Sequence, residues 1–341
     1  MNQLPYNYDK DAQCPRWLAF LDDVMQGDWE RIELLQQWAG YLLTNTLKYQ
    51  KFMLMAGEGG NGKTVFTTIM EKMVGEENAS HVPLSNFDKP FGLSPTLGRM
   101  LNTSSESSHK IDELAETMLK SYTSGDRMTF DRKFKEPISC CPTAKVMIST
   151  NQLPNFADKS NGIWRRMLSV FFGRNVPEEE QNPNLVNELA AELPGIFNWS
   201  LAGLRKLILD GRFIEPKKCK EMLAEYRRDT NPAKVFLEEN YVAQPYWPCL
   251  HGLEARATTD FEGIPCGEMY QSYTAWCNQN GYHPLNSSNF GKEVKRAFPN
   301  VVKEQVRRSG LRVTIYCGLA VREESEVSMG RLRMSDYSNC Q

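Results

Sequence analysis

Residues 51–64 read Lys51-Phe52-Met53-Leu54-Met55-Ala56-Gly57-Glu58-Gly59-Gly60-Asn61-Gly62-Lys63-Thr64, and the rest of the chain is organised around them. The apolar run from Phe52 to Ala56 predicts a buried strand that stops at Gly57. From Gly57 to Thr64 every fixed position of G-x-x-x-x-G-K-[ST] is met. Glycines let successive backbone N–H groups turn inward around a phosphate, which bulkier side chains obstruct. Lys63 brings a cation to the β- and γ-phosphates, and the Thr64 hydroxyl suits magnesium. Residues 65–74 predict a helix whose N-terminal dipole adds to the anion site. The expected ligand is a nucleoside triphosphate, taken as ATP with Mg2+.

Around this stretch the composition is unremarkable for a globular chain: 341 residues, 41% hydrophobic, 24% charged, net charge −2. Such a length predicts about two domains. A nearly neutral balance gives no case for a nucleic-acid partner, so any basic surface must be local. There are nine cysteines and four histidines but no Cys-x-x-Cys pair. Cys249 and His251 lack a second ligand pair, so free thiols in a reducing cytoplasm are expected rather than a metal site. With no signal peptide and no apolar run of membrane-spanning length, a cytoplasmic chain without a membrane partner is expected.

Upstream of the loop, 1–14 reads as a polar arm and 15–25 and 29–45 as helices, the second capped by Asp28. Leu35, Trp38 and Leu42 recur at helical spacing, which suits core packing and also a helical collar where subunits meet. Downstream, 80–84 is a short strand candidate and 99–106 a strand ending in Glu106, the only acid between Asp88 and Asp112. A phosphate-loop ATPase needs such a carboxylate near magnesium and the attacking water. Residues 110–121 predict a helix and 127–135 a hairpin with a basic, aromatic tip at Arg132-Lys133-Phe134-Lys135, suited to gripping a nucleic-acid backbone. The strand 145–151 ends in Asn151, an amide placed to sense the γ-phosphate, and Arg165-Arg166 precede the strand 168–172. Paired arginines there serve the fold or, in a ring, reach a neighbour's site.

Helices dominate from 184 to about 242, with 231–242 set off by Pro232; 244–266 reads as a linker or irregular insertion. Then come helices over 268–280 and 287–298, the latter capped by Ser287 and bearing Lys292, Lys295 and Arg296. Strands 301–308 and 311–317, joined by Ser309-Gly310, end in Arg307 and Arg308 on the first arm. Residues 289–312 hold seven Lys or Arg against two Glu. Helices followed by a basic hairpin resemble a winged helix, a fold that commonly contacts DNA and also serves protein interaction. The tail 323–341 is polar.

In order, Cys14-Pro15-Arg16-Trp17, the 35–41 stretch, Gly59–Thr64, Ser124-Gly125-Asp126, 149–154 and Trp164-Arg165-Arg166 make a set. This set resembles the superfamily 3 helicases, close to the phage and plasmid primase–helicase branch that includes the poxvirus primase-helicase. The resemblance implies an α/β fold: an AAA+-type P-loop ATPase with a central parallel sheet in strand order 5-1-4-3-2, an N-terminal helical collar and a C-terminal winged-helix domain. The corresponding segments are 1–48 for the collar, 49–230 for the ATPase core, 231–322 for the winged helix with its insertion 244–266, and 323–341 for the tail. It further implies a homo-hexameric ring moving 3′→5′ on single-stranded and forked DNA. Lys133 and Phe134 would sit at the tip of a pore hairpin, and Arg166, with Arg165 in reserve, would be an arginine finger. Ser105 precedes Glu106 where many viral relatives carry two acids, and Phe134 stands where some carry histidine. Nothing in the sequence resembles a primase half, so the expectation is either the helicase portion of a primase–helicase or a stand-alone helicase, with a primase domain or protein as a candidate partner. Two other readings remain open: an ATP-switched initiator or loader that does not unwind, and a metabolic P-loop kinase, which leaves the basic hairpins unexplained.

Overall fold

A computed structural model describes residues 2–106, 111–151, 153–154, 156, 161–229, 231–245, 263–308 and 311–322. Cys249, His251, Gln152, the Ser309-Gly310 turn and the 323–341 tail lie outside them. The chain forms two compact units, Met1–Tyr226 and Arg227–Gln341. In the first, the strands are β1 (Phe52–Ala56), β2 (Ala79–Ser80), β3 (Leu101–Glu106), β4 (Met128–Arg132), β5 (Lys135–Cys140), β6 (Lys145–Thr150) and β7 (Met167–Phe171). Its helices are α1 (Pro15–Met25), α2 (Trp29–Leu42), α3 (Lys63–Val74), α4 (Glu113–Ser124), α5 (Asn161–Trp164), α6 (Leu185–Ala190) and α7 (Leu193–Asp210). Helix α8 (Lys217–Asp229) begins in this unit, and the boundary at Tyr226 falls within it.

The central sheet has five parallel strands in the order β2-β3-β6-β1-β7. Numbered among themselves, these are 5-1-4-3-2, the order that the resemblance implies. β1 is fully buried because both faces of the sheet are covered. Its alternate residues feed two separate cores: Met53 and Met55 join α1, α2, α3 and α7, whereas Phe52 and Leu54 join α4 and the base of the β4–β5 hairpin. This arrangement explains why the run reads as continuously apolar rather than alternating.

Helix α2 is part of that core, with Trp38 and Leu42 wholly buried. Asp28 caps it through the Arg31 N–H. The Arg31 guanidinium then donates to the Met25 carbonyl at 2.6 Å and the Phe171 carbonyl at 2.7 Å, fastening the end of α1 to the end of β7. α2 ends at Leu42, three residues short of the expected 45. The expected strand 80–84 shrinks to Ala79–Ser80. Beyond it the Asn102 side chain binds both Val82 N–H and Val82 C=O, replacing strand pairing, and Pro83 has no N–H to give. Helix α4 begins at Glu113 rather than 110 and runs on to Ser124, where Gly125 ends it in the left-handed conformation.

In the second unit α9 (Pro232–Asn240), α10 (Cys266–Gln279) and α11 (Ser287–Ala297) enclose a core in which the Tyr273 and Phe290 rings stack at 4.4 Å. A ribbon pairs β8 (Tyr241–Ala243) with a strand at Leu319–Val321, while a three-stranded sheet joins β9 (Gly263–Pro265), β10 (Val302–Arg308) and β11 (Leu311–Cys317). Two expectations are corrected here. Residues 263–265 are a sheet strand rather than irregular linker, because their backbone pairs with 315–317 of β11, and α10 already begins at Cys266. The cap of α11 is Asn286, not Ser287: its side-chain oxygen accepts from the Asn289 N–H at 2.9 Å. Among the described residues no helix is long and apolar enough to cross a membrane.

Candidate functional site

The loop 57–62 leaves the C-terminal end of β1 and turns directly into α3, whose first residue is Lys63. Gly62 takes φ 88°, a left-handed conformation costly for residues with a Cβ. A Cβ there would meet Val24 Cγ1 at 2.8 Å, so glycine also lets α1 lie against the loop. The helix N-terminus opens into a cavity of about 1130 Å³. Its floor is the loop from Gly59 to Thr64; its walls are α1, from Arg16 to Val24, and a segment from Val176 to Glu188. This second wall is fastened over the loop. Val176 N–H donates to the Gly60 carbonyl at 2.9 Å, and Arg174 pairs with both Glu180 and Asp23 of α1. The cradle of exposed glycine backbone, the cation at Lys63 and the exposed Thr64 hydroxyl fit a triphosphate with its magnesium.

Lys63 is buried, and its ammonium donates to the carbonyls of Gly57 at 2.6 Å and Glu58 at 3.1 Å and to Asn61 Oδ1 at 3.0 Å. Burial lowers its pKa from the ordinary lysine value. Ser105, Ser149, Thr150 and Asn151 line the same cavity from the ends of β3 and β6. Glu106 closes β3 in register with Thr150, one residue beyond Ser105; its side chain lies outside the described set. The sheet therefore brings the loop, the last position of β3 and Asn151 to one edge, as parallel strands entering from the same side must.

The two arginines part company. Arg166 is 9% exposed, and its guanidinium donates to the Gly162 carbonyl at 2.8 Å and Ser124 Oγ at 2.6 Å. Burial and the charge of Arg165 lower its pKa. Arg165 is exposed, and its carbonyl accepts from the Lys51 ammonium at 2.6 Å. Neither arginine lines the Lys63 cavity of its own chain.

The β4–β5 hairpin is anchored by Phe130, buried beneath the sheet, and turns through Lys133 and Phe134. Phe134 is 93% exposed with φ 59°, and the Lys133 ammonium rests 5.2 Å from its ring. Arg132 braces the turn through the Glu136 carbonyl; Lys135 is exposed. In the second unit Lys292, Lys295 and Arg296 are exposed on α11, Arg296 being paired with Glu293 at 2.6 Å. The register sets Arg307 opposite Arg312 and Lys303 opposite Tyr316, so Lys303, Gln305, Arg307, Arg312 and Thr314 share one face of the hairpin. Arg308 closes β10; its side chain lies outside the described set. The walls from α1 and 176–188, and the partnership of Arg307 with Arg312, escape sequence reading because they depend on packing and register. Only the local excess of basic residues hinted at the second.

Comparison with known proteins covers the chain in parts. The family of unknown function DUF5906 matches residues 55–166, and the RFX DNA-binding domain matches residues 256–323. A protein of Acanthamoeba polyphaga mimivirus named for a helicase assignment, L207/L206, is 22% identical over 271 residues, 70% of this chain and 26% of the relative. DNA-binding protein RFX7 of Xenopus laevis is 37% identical over 76 residues, 22% of this chain and 5% of that protein. The chain thus spans about a quarter, 26%, of the mimivirus relative and far less of RFX7. Among solved structures, the apo C-terminal region of NrS-1 aligns with TM-score 0.57 at 13% identity, covering 91% of this chain and 79% of that one. That likeness establishes a shared fold.

Proposed function

We propose that this chain is an ATP-driven DNA helicase of a phage, plasmid or related mobile element, acting in the host cytoplasm. The observation that carries the reading is the single sheet edge that gathers Lys63, Thr64, Ser105 and Asn151 around one cavity, together with a hairpin that presents a lysine and an aromatic ring to solvent. The mimivirus relative and the RFX match supply the direction: helicase for the first, DNA contact for the second.

In this reading the loop backbone, Lys63 and the α3 N-terminus bind the triphosphate. Thr64 and Glu106 would hold magnesium, which when bound neutralises charge on the β- and γ-phosphates. Glu106 orients the attacking water and Asn151 reports the γ-phosphate. Of the arginines, the exposed Arg165 suits a reach to a neighbouring subunit better than Arg166, the first choice from the resemblance, because the buried Arg166 guanidinium is bound to Ser124 and Gly162 and so fixes the turn between α5 and β7 in which both lie. The assembly is a homo-hexameric ring with 3′→5′ movement, both taken from the family resemblance. The Arg132–Lys135 tips grip the backbone and stack on bases. The second unit is a winged helix that contacts DNA through Lys292, Lys295 and Arg296 on α11 and through the hairpin bearing Arg307, Arg308 and Arg312.

ATP hydrolysis measured with and without single-stranded DNA tests this. Wild type should be stimulated by DNA, Lys63→Ala should hydrolyse nothing measurable, and Lys133→Ala should keep basal hydrolysis while losing stimulation. Hydrolysis indifferent to DNA in wild type would refute the helicase reading.

A further inference from the structure

Asn61 occupies one of the variable positions of the phosphate loop, yet its side chain is 3% exposed. Both ends of the amide are used. Oδ1 accepts from the Lys63 ammonium at 3.0 Å, and Nδ2 donates to the Phe172 carbonyl at 2.9 Å. An ammonium only donates and a carbonyl only accepts, so the amide has one workable orientation. The space for it is made by Gly57, where a Cβ would fall 2.4 Å from both Asn61 Nδ2 and the Phe172 oxygen. Phe172 N–H in turn donates to the Ala56 carbonyl at 2.8 Å, so the residue gripped by Asn61 is registered on β1 at the very start of the loop. Phe172 also directly follows β7, the strand whose other end is preceded by Arg165 and Arg166.

We propose that Asn61 is a positioning residue: it sets the Lys63 ammonium for the γ-phosphate and ties the phosphate loop to the end of β7. The proposal rests on the nucleotide reading above. A lysine held only by Gly57 and Glu58 still attracts a triphosphate, because its charge and the loop N–H groups remain. What it loses is a fixed direction, which matters to the transferring phosphoryl group more than to binding. Asn61→Ala should therefore separate turnover from affinity. Asn61→Asp makes the complementary change: it keeps an acceptor for Lys63, now charged, and sets an oxygen against the Phe172 oxygen. The carboxylate then competes with the phosphates for the ammonium.

The experiment measures the Mg-ATP dissociation constant, the turnover number and the melting temperature for wild type, Lys63→Ala, Asn61→Ala and Asn61→Asp. Asn61→Ala is expected to bind Mg-ATP within about threefold of wild type but to turn over about tenfold more slowly, with a lowered melting temperature in a chain that is still folded. Asn61→Asp is expected to weaken Mg-ATP binding by about tenfold or more, again while folded. Wild-type turnover in Asn61→Ala would overturn the proposal, as would affinity and turnover falling in equal proportion in that variant. A wild-type chain whose Mg-ATP binding is no different from that of Lys63→Ala would overturn the nucleotide reading itself, and the proposal with it.

Discussion

Phe134 shows how a single residue records a demand that its own conformation resists. Its φ of 59° belongs to the region that glycine and asparagine occupy without penalty, and an aromatic residue there costs about 1–2 kcal/mol. Its ring is almost wholly in solvent, so packing does not repay that cost. The account predicts that Phe134→Gly raises or preserves the melting temperature while reducing DNA-stimulated hydrolysis at least about fivefold, the lower end for one lost base stack. Undiminished stimulation would show that the ring is not a DNA contact. Lys145 is a second residue at odds with its surroundings. It is fully buried, its ammonium donates to the Thr44 carbonyl, and the Tyr41 ring lies 5.0 Å away. Burial pushes its pKa down to about 7 from an ordinary 10.5, so between those values the unfolded chain binds more protons than the folded one. Stability therefore rises with pH across that window, and below it the cost is complete. Unfolding of Lys145→Met should lack this rise, so its advantage over wild type, measured by urea titration, should shrink from pH 7 to pH 10. A constant difference would mean that Lys145 keeps its ordinary pKa in the fold.

At the level of elements, the sequence is most informative where one physical demand dominates. The run 52–56 had to be a two-sided buried strand, and it is; the glycines after it form the expected turn between that strand and a helix beginning at Lys63. The 145–150 strand was legible for the same reason. Ends of elements were less so, because side chains decide them: Asn102 replaces the expected continuation of β2, and Asn286 rather than Ser287 takes the cap. β9 was invisible because three residues of ordinary composition carry no period, and only the partner strand identifies them. Within the candidate site, motif residues were legible one by one, whereas the difference between the buried Arg166 and the exposed Arg165 is a fact of packing against Ser124. The close pairing of α2 with α7 offers a test at this scale. A Cβ on Gly203 would lie 2.2 Å from the Gln36 carbonyl oxygen, backbone against backbone. Gly203→Val should destabilise the first unit by about 1–3 kcal/mol in urea unfolding, the usual cost of overpacking. No loss of stability would mean that the two helices are not apposed this closely.

For the whole molecule, the two units divide the chemistry. The first gathers the Lys63 cavity at the edge of a five-stranded parallel sheet, with a basic, aromatic hairpin on the same unit. The second carries a basic hairpin face and a basic helix in a chain whose net charge is only −2, so positive charge is concentrated rather than general. The metabolic-kinase reading leaves both projections unexplained, and the loader reading parts from the helicase reading at the β4–β5 hairpin. Strand separation is the measurement that decides among them: unwinding of forked DNA bearing either a 3′ or a 5′ single-stranded tail, with ATP, by wild type, Lys63→Ala and Lys133→Ala. The account predicts unwinding from the 3′ tail alone, abolished in both variants. ATP hydrolysis without separation of either fork would contradict it.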